Sequence, residues 1–468
     1  MVRWRPDSKW HPRQWGLGRK CFDTSLIIFL DFFTTAVSTA GAPVGEHAKG
    51  QFGISPITAT LVFVSTYLFG QGIGSIVFPP YSESFGRKKL YATSAALYSV
   101  FCVVVALSPS IAGVAIGRFM TGFLSAIPSI VVAGSIEDLW NAHARVWLIF
   151  IWALAGNIGL IIGPILGNYI IASLGWQWVF YIAAVVTAIT SILLLGIRES
   201  RPSLILRRRV EDIRAATGDN ILTTSSPDHM PDLQTFAREA LFRPIGLFFT
   251  DLIVFAVAFM SSVAIALIYL FTEAIPLIYS SYNLSDGQKI IPFVTLGVGL
   301  VCGVFTRCYD HYFLRSRKIR GEDIAPEDKL LGFSIGAPLL AVGLWWFAWT
   351  IPPAAQLSWV VPTVPLVLVG YAITEFDVVL AGYMADSYLS YAASGFGALA
   401  MLRSLLSAIF PLFAKRMFQD LGNNMAGTVL AVLATIFCVV PPLFTRYGEM
   451  IRKRSRFASY SLALQEEC

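Results

Sequence analysis

The sequence predicts an all-α polytopic membrane protein with twelve transmembrane helices in two pseudo-symmetric six-helix halves. Three observations carry this. The 468-residue chain is 56% hydrophobic and only 14% charged, with a mean hydropathy of +0.65. So little charge cannot cover the surface of a water-soluble protein. The apolar residues fall in runs of roughly twenty, the number a helix needs to cross a ~30 Å hydrocarbon core. Those runs do not alternate between apolar and polar residues, as the strands of a membrane barrel would.

Twelve spans follow in order at roughly 24–42, 57–78, 89–107, 112–135, 147–170, 178–197, 246–271, 290–306, 331–350, 360–384, 395–414 and 425–445. They divide the chain into an N-terminal tail (1–23), a first half (24–197), a central loop (198–245), a second half (246–445) and a C-terminal tail (446–468). Six plus six spans around a long charged linker is the arrangement of two halves that rock about a midplane site. With the N-terminus inside, 29 of the 35 Lys and Arg fall on the inner side, so both termini are expected in the cytoplasm. Trp176, Trp178, Trp345, Trp346, Trp349 and Trp359 crowd the expected outer ends, as in an interfacial aromatic belt. The sequon Asn283-Leu284-Ser285 falls in an expected external loop, a candidate N-glycosylation site.

The start of the chain is basic and runs into a long span, without the pattern of a cleavable signal. The six cysteines form no CxxC or zinc-like spacing, so no disulfide framework and no metal site are expected. The Arg207-Arg208-Arg209 run in the central loop reads as an orientation signal and anionic-lipid contact, not as a nucleic-acid patch.

The fifth span contains GNIGLIIGPILGN, from Gly156 to Asn168. Gly159, Gly163 and Gly167 recur every four residues and bare one helix face for close approach by a neighbouring backbone. Pro164 removes a hydrogen-bond donor and tends to kink the helix. A moving bundle needs such a face, and the expected neighbour across it is the other half.

Charges inside spans are costly and mark function by default. The candidates are Asp31, Arg118, Glu375, Asp377 and Arg403. None of the five histidines falls inside an expected span, so a transported proton needs a carboxylate. Asp31 lies roughly 10 Å into the first span at 1.5 Å per residue and is the first choice of carrier. Burial would favour its protonated form and a nearby Arg118 its ionised form; a static structural bond is the alternative. Glu375 and Asp377 are two residues apart, so they point about 200° away from each other on a helix. A gate or an interhelical bond suits them, with Arg403 able to pair with one. Tyr67, Gln71, Asn157 and Tyr269 are polar residues on apolar spans, candidates for a substrate cavity or for helix-to-helix contacts.

Between the second and third spans the chain reads Pro80-Tyr81-Ser82-Glu83-Ser84-Phe85-Gly86-Arg87-Lys88. The fourth span carries Arg118-Phe119, Gly122, Ser125, Pro128, Gly134-Ser135 and Asp138-Leu139-Trp140. Together with Gly163-Pro164-Ile165-Leu166-Gly167, Glu273-Ala274-Ile275-Pro276, Arg403-Ser404-Leu405 and Phe410-Pro411-Leu412-Phe413, these resemble the fungal drug:proton antiporter branch of the major facilitator superfamily. The resemblance covers essentially the whole chain. Departures are Pro79, where a glycine usually opens the loop motif, and Phe150 and Asn168, where the antiporter motif usually has glycines.

The resemblance implies a latch, in which Glu83 meets a helix of the other half and Arg87, after Gly86, pairs with Asp138 or Glu137. It implies a secondary transporter that exports small amphipathic organic compounds, drugs or secondary metabolites, in exchange for protons. The proton gradient would be the energy source, with no cofactor. A monomer in the plasma membrane is expected, a vacuolar or vesicle membrane being the alternative. A polyamine or nutrient carrier would use the same scaffold, though a polyamine site needs several cavity carboxylates. An enzyme finds no support in HExxH, GxSxG or GxxxxGK[ST] patterns, and a channel would not explain the six-plus-six division.

Overall fold

The computed structural model describes residues 4, 8–217, 246, 248, 251–282, 284–285, 287–320, 326–355, 357–388 and 392–454. Asn283 of the sequon, most of the second part of the central loop and the end of the C-terminal tail lie outside the described residues. Among the described residues, twelve helices are long and apolar enough to cross a membrane. They are α1 (Leu17–Phe52), α2 (Pro56–Phe85), α3 (Lys88–Leu107), α4 (Ile111–Leu139), α5 (Ala144–Leu174), α6 (Gln177–Leu195), α7 (Ile253–Tyr282), α8 (Gln288–Phe313), α9 (Leu331–Thr350), α10 (Val360–Ser387), α11 (Gly395–Asp420) and α12 (Asn423–Gly448). Number and order match the sequence reading. The helices overrun the expected spans, so His47 and His311 lie on the end turns of α1 and α8.

The two halves share one packing plan. In the first, α1 packs on α5, α2 on α4 and α3 on α6; in the second, α7 packs on α11, α8 on α10 and α9 on α12. Each pair recurs six helices later. The repeat extends to individual contacts. A β-carbon on Gly122 of α4 would stand 1.8 Å from the Tyr67 carbonyl of α2, and one on Gly370 of α10 would stand 2.1 Å from the Leu296 carbonyl of α8. In both halves, glycine lets these backbones touch. The halves meet mainly along α2–α11 and α5–α8. Large apolar side chains such as Leu107, Ile116, Ile192 and Phe305 point outward and are more than 60% exposed, as a lipid-facing surface requires. Trp178, Trp345, Trp346 and Trp349 are exposed as well, at 37–52%, but Trp176 is buried against Phe52, Phe63 and Phe180 and belongs to the core.

Three helices are locally irregular. α1 consists of Leu17–Thr39 and Gly41–Phe52, joined at Ala40. α2 and α4 each contain one wide turn, Leu61–Ser65 and Ile127–Val131, with an i→i+5 pattern. In α4 the cause is legible, since Pro128 cannot donate to the ladder. The α2 turn contains neither proline nor glycine. α2 also runs through Pro79 and Pro80 to Phe85, so the expected α2–α3 loop is largely helix, and Gly86, at φ +93°, ends it.

α5 belongs to an unbroken helix, Ala142–Leu174, despite Pro164. Its glycine face packs on α1 within the same half, not on the other half as the sequence suggested. β-carbons on Gly159 and Gly163 would stand 2.6 Å from the Phe32 carbonyl and 2.2 Å from the Ala36 carbonyl, and one on Gly167 would press on Pro43 and Ala40. The opposite side of α5 faces α8, where Gly297 lies against Ile161. Sequence spacing identifies a bare face but not which helix covers it. Asn168, where the motif usually has glycine, donates to the Pro164 carbonyl at 2.9 Å. Gly163→Ala is expected to destabilise the detergent-purified protein by about 1–3 kcal/mol in thermal unfolding. Gly50→Ala, whose β-carbon meets nothing within 4 Å, is the control and should be neutral. A Gly163→Ala protein as stable as wild type would contradict this backbone contact.

Candidate functional site

Asp31 sits mid-helix in α1 and is 4% exposed. One carboxylate oxygen accepts the Ser129 hydroxyl at 2.8 Å and the other the Trp152 indole N–H at 2.7 Å. Ser129 lies in the wide turn of α4 and accepts in turn from the Gln71 amide of α2 at 3.2 Å. Trp152 and Gly156 are one turn apart on α5, and a β-carbon at Gly156 would come within 3.5 Å of the carboxylate. Among the described residues, no cation lies within ion-pair distance of Asp31.

Arg118 is not that partner, contrary to the sequence expectation. It is fully buried and donates to three backbone carbonyls: Phe63 at 2.8 Å, Ser38 at 3.2 Å and Val37 at 3.5 Å. These carbonyls lie at the wide turn of α2 and just before the break in α1, where regular helix pairing lapses. The guanidinium also lies 4.6 Å from the Tyr67 ring centroid and 5.5 Å from that of Phe180. Arg118 thus braces α1, α2 and α4.

In the second half, Asp377 of α10 pairs with Arg403 of α11, which also donates to the Ser261 hydroxyl of α7 at 3.2 Å. The second Asp377 oxygen accepts from Asn157 of α5 at 3.2 Å, a hydrogen bond that crosses between the halves. Arg403 and Asp377 are near enough to Asp31 to act on it electrostatically. Glu375 points elsewhere, as its spacing predicted. It pairs with Arg307 of α8 at 2.9 Å, and Arg307 with Asp310 at 3.1 Å. Glu375 is therefore an interhelical bond within one half. Arg307 and Asp310 were not among the expected intramembrane charges because α8 runs past its expected end at 306.

At the face carrying the N-terminal tail, Arg87 and Asp138 form a buried pair at 3.1 Å. Both belong to the first half, so the pair braces α3 against α4 and does not link the halves. Glu137 binds Arg145 at 2.7 Å instead. The carboxylate of Glu199, just beyond α6, accepts the backbone N–H groups of Arg87 at 3.0 Å and Lys88 at 3.1 Å. Gly86 leaves room for it, since a β-carbon there would stand 2.6 Å from Glu199. An anion at a helix N-terminus is favoured by the free N–H groups and the dipole. Lys329 and Asp386, 2.7 Å apart, repeat the Arg87–Asp138 arrangement just before α9 and near the end of α10. Glu83 is exposed and makes no hydrogen bond or ion pair among the described residues.

Of the proposed cavity residues, Tyr67 is fully buried and donates to the Thr34 carbonyl at 3.1 Å, so it joins helices and lines nothing. Tyr269 bonds Ser38 at 2.7 Å across the halves, on the side away from the termini. Further cross-half contacts there join Ser65 to the Ala408 carbonyl, Thr60 to Glu273, and Glu46 to Lys415. Gln71 alone of the four is half-buried rather than buried; Asn157 is the bridge described above.

The sequence model of the Major Facilitator Superfamily matches residues 24–411. The chain belongs to the Major Facilitator Superfamily. It is 29% identical to multidrug transporter TPO1_2 of Candida glabrata, over 98% of this chain and 79% of that one. It is 31% identical to efflux pump FUB11 of Gibberella moniliformis, over 91% and 72%. Candida albicans multidrug transporter FLU1 is 28% identical over 97% and 75%. Among solved structures it resembles the proton:xylose symporter XylE bound to 6-bromo-6-deoxy-D-glucose, with a TM-score of 0.64, 15% identity and coverage of 92% and 97%. At that identity the likeness concerns the fold. As a member of the superfamily, the chain is an integral membrane transporter of small molecules and not an enzyme.

Removing one member of the buried Arg87–Asp138 pair strands a charge, which costs ~3–5 kcal/mol, whereas removing both does not. Arg87→Met is therefore expected to lower thermal stability sharply, and Arg87→Met/Asp138→Leu to recover most of the loss. Additive losses in the double variant would show that the two side chains do not act as a pair.

Proposed function

We propose that this superfamily member exports small amphipathic organic compounds in exchange for protons by alternating access. In this reading it works as a monomer in the plasma membrane with both termini in the cytoplasm. The observation that carries the reading is Asp31: a buried carboxylate without a cation partner, held by two neutral donors beside the Asn157–Asp377–Arg403 bridge. A carboxylate held only by neutral donors is a group at this depth that can bind and release a proton. Proton uptake removes one negative charge next to the hydrogen bond that joins the halves. The balance between conformations then changes with the state of Asp31.

The excess of Lys and Arg on one side supports cytoplasmic termini. The relatives named as multidrug transporters and efflux pumps support export. In this conformation the polar ties described between the halves lie at mid-bundle and on the far side, and Glu83 is free. Glu83 would engage the other half when the terminus-bearing ends close. Arg87, Asp138 and Glu199 would hold the Gly86 turn in shape for that contact.

The test uses purified protein in liposomes with an imposed pH gradient and a panel of amphipathic compounds. Acid-inside vesicles should accumulate the carried compound in exchange for protons; accumulation driven instead by acid outside would identify symport and overturn the export reading. Asp31→Asn should abolish gradient-driven accumulation while gradient-free exchange of the same compound persists. Normal proton coupling in that variant would remove Asp31 from the role.

A further inference from the structure

The five intramembrane charges that the sequence singles out differ in what they leave available to a ligand. Arg118 is fully buried and spent on carbonyls. The Glu375 side chain is 1% exposed and paired with Arg307. Both Asp31 oxygens and both Asp377 oxygens already accept hydrogen bonds, and these two residues are 4% and 6% exposed. Arg403 is different, with a side chain 30% exposed. Its partners Asp377 and Ser261, and its closeness to Asp31, put that exposure between the halves and not toward lipid. Only its Nη2 is engaged; Nη1 and Nε make no hydrogen bond among the described residues, and Nε is buried without a partner.

Around Arg403 the bundle therefore offers a ligand a positive group with donors to spare, beside two carboxylates, Asp31 and Asp377, whose oxygens already accept hydrogen bonds. Next to the same cluster, the half-buried Trp152 and Gln71 supply an aromatic surface and an amide. We propose that the carried compound is an amphipathic organic acid whose carboxylate binds Arg403 while its apolar body lies against the aromatic and aliphatic interior. A charge-assisted bond from a partly desolvated guanidinium is stronger than a neutral one, whereas a cation placed there meets the same charge as its own. The idea deepens the transport reading and rests on it only in taking the bound compound to be the one carried.

Binding separates the two. Quenching of tryptophan fluorescence in the detergent-purified protein at pH 7.5 would be titrated with 1-naphthaleneacetate, its neutral amide 1-naphthaleneacetamide and the cation 1-naphthylethylamine. The acid should bind about tenfold more tightly than the amide and the amine. Arg403→Gln/Asp377→Asn removes the pair without stranding a charge; there the acid should lose its advantage while the amide still binds, which also reports a folded site. An acid that binds no better than the amine, or not at all, overturns the proposal, as does a preference that survives in the double variant. A preference for the acid without gradient-driven movement would defeat the transport reading and leave the Arg403 site standing.

Discussion

Where α5 lies along α1, Gly159, Gly163 and Gly167 put no side chain between the two backbones, and the helices approach until carbonyls touch the glycine positions. That contact fixes how α1 stands against α5. Trp152 and Gly156, on the same helix and nearer the terminus-bearing end, then meet Asp31, one as donor and the other as empty space. A side chain at Gly159 or Gly163 would lever α1 away and break the Trp152 hydrogen bond. The antiporter-like glycines thus position a carboxylate, whereas the sequence had suggested that they face the other half.

The second half of the support comes from irregular backbone. The break in α1 and the wide turn in α2 release carbonyls that water cannot reach, and Arg118 satisfies them with one guanidinium. The wide turn in α4 delivers Ser129 to Asp31. Buried backbone groups without partners are expensive, so irregularity and arginine belong together: each makes the other tolerable. Asp31 is left to neutral donors because Arg118 is already spent.

Repetition clarifies the second half of the chain. The α2–α4 and α8–α10 contacts both rest on glycine, and Arg87–Asp138 has its counterpart in Lys329–Asp386. Other features are not repeated. Asp377, Arg403 and Ser261 have Asn157 as their link to the first half, and this asymmetric cluster is where the halves share a hydrogen bond in mid-bundle.

Twelve helices, their order and the division into halves follow from the sequence alone, because hydrophobic length is a property of a continuous stretch and the bilayer imposes it. The rarity of charge in those stretches likewise singled out Asp31, Arg118, Glu375, Asp377 and Arg403, and helical spacing separated Glu375 from Asp377. Tertiary structure decided the partners: Asp31 with Ser129 and Trp152, Arg118 with carbonyls, Arg403 with Asp377, and the α5 glycines with α1. A hydroxyl or indole in an apolar helix carries no mark of the group it will meet, and Glu199 at the Gly86 turn left no such mark either. Periodicity tells which residues share a face, but only the packing of twelve helices against one another determines what that face touches.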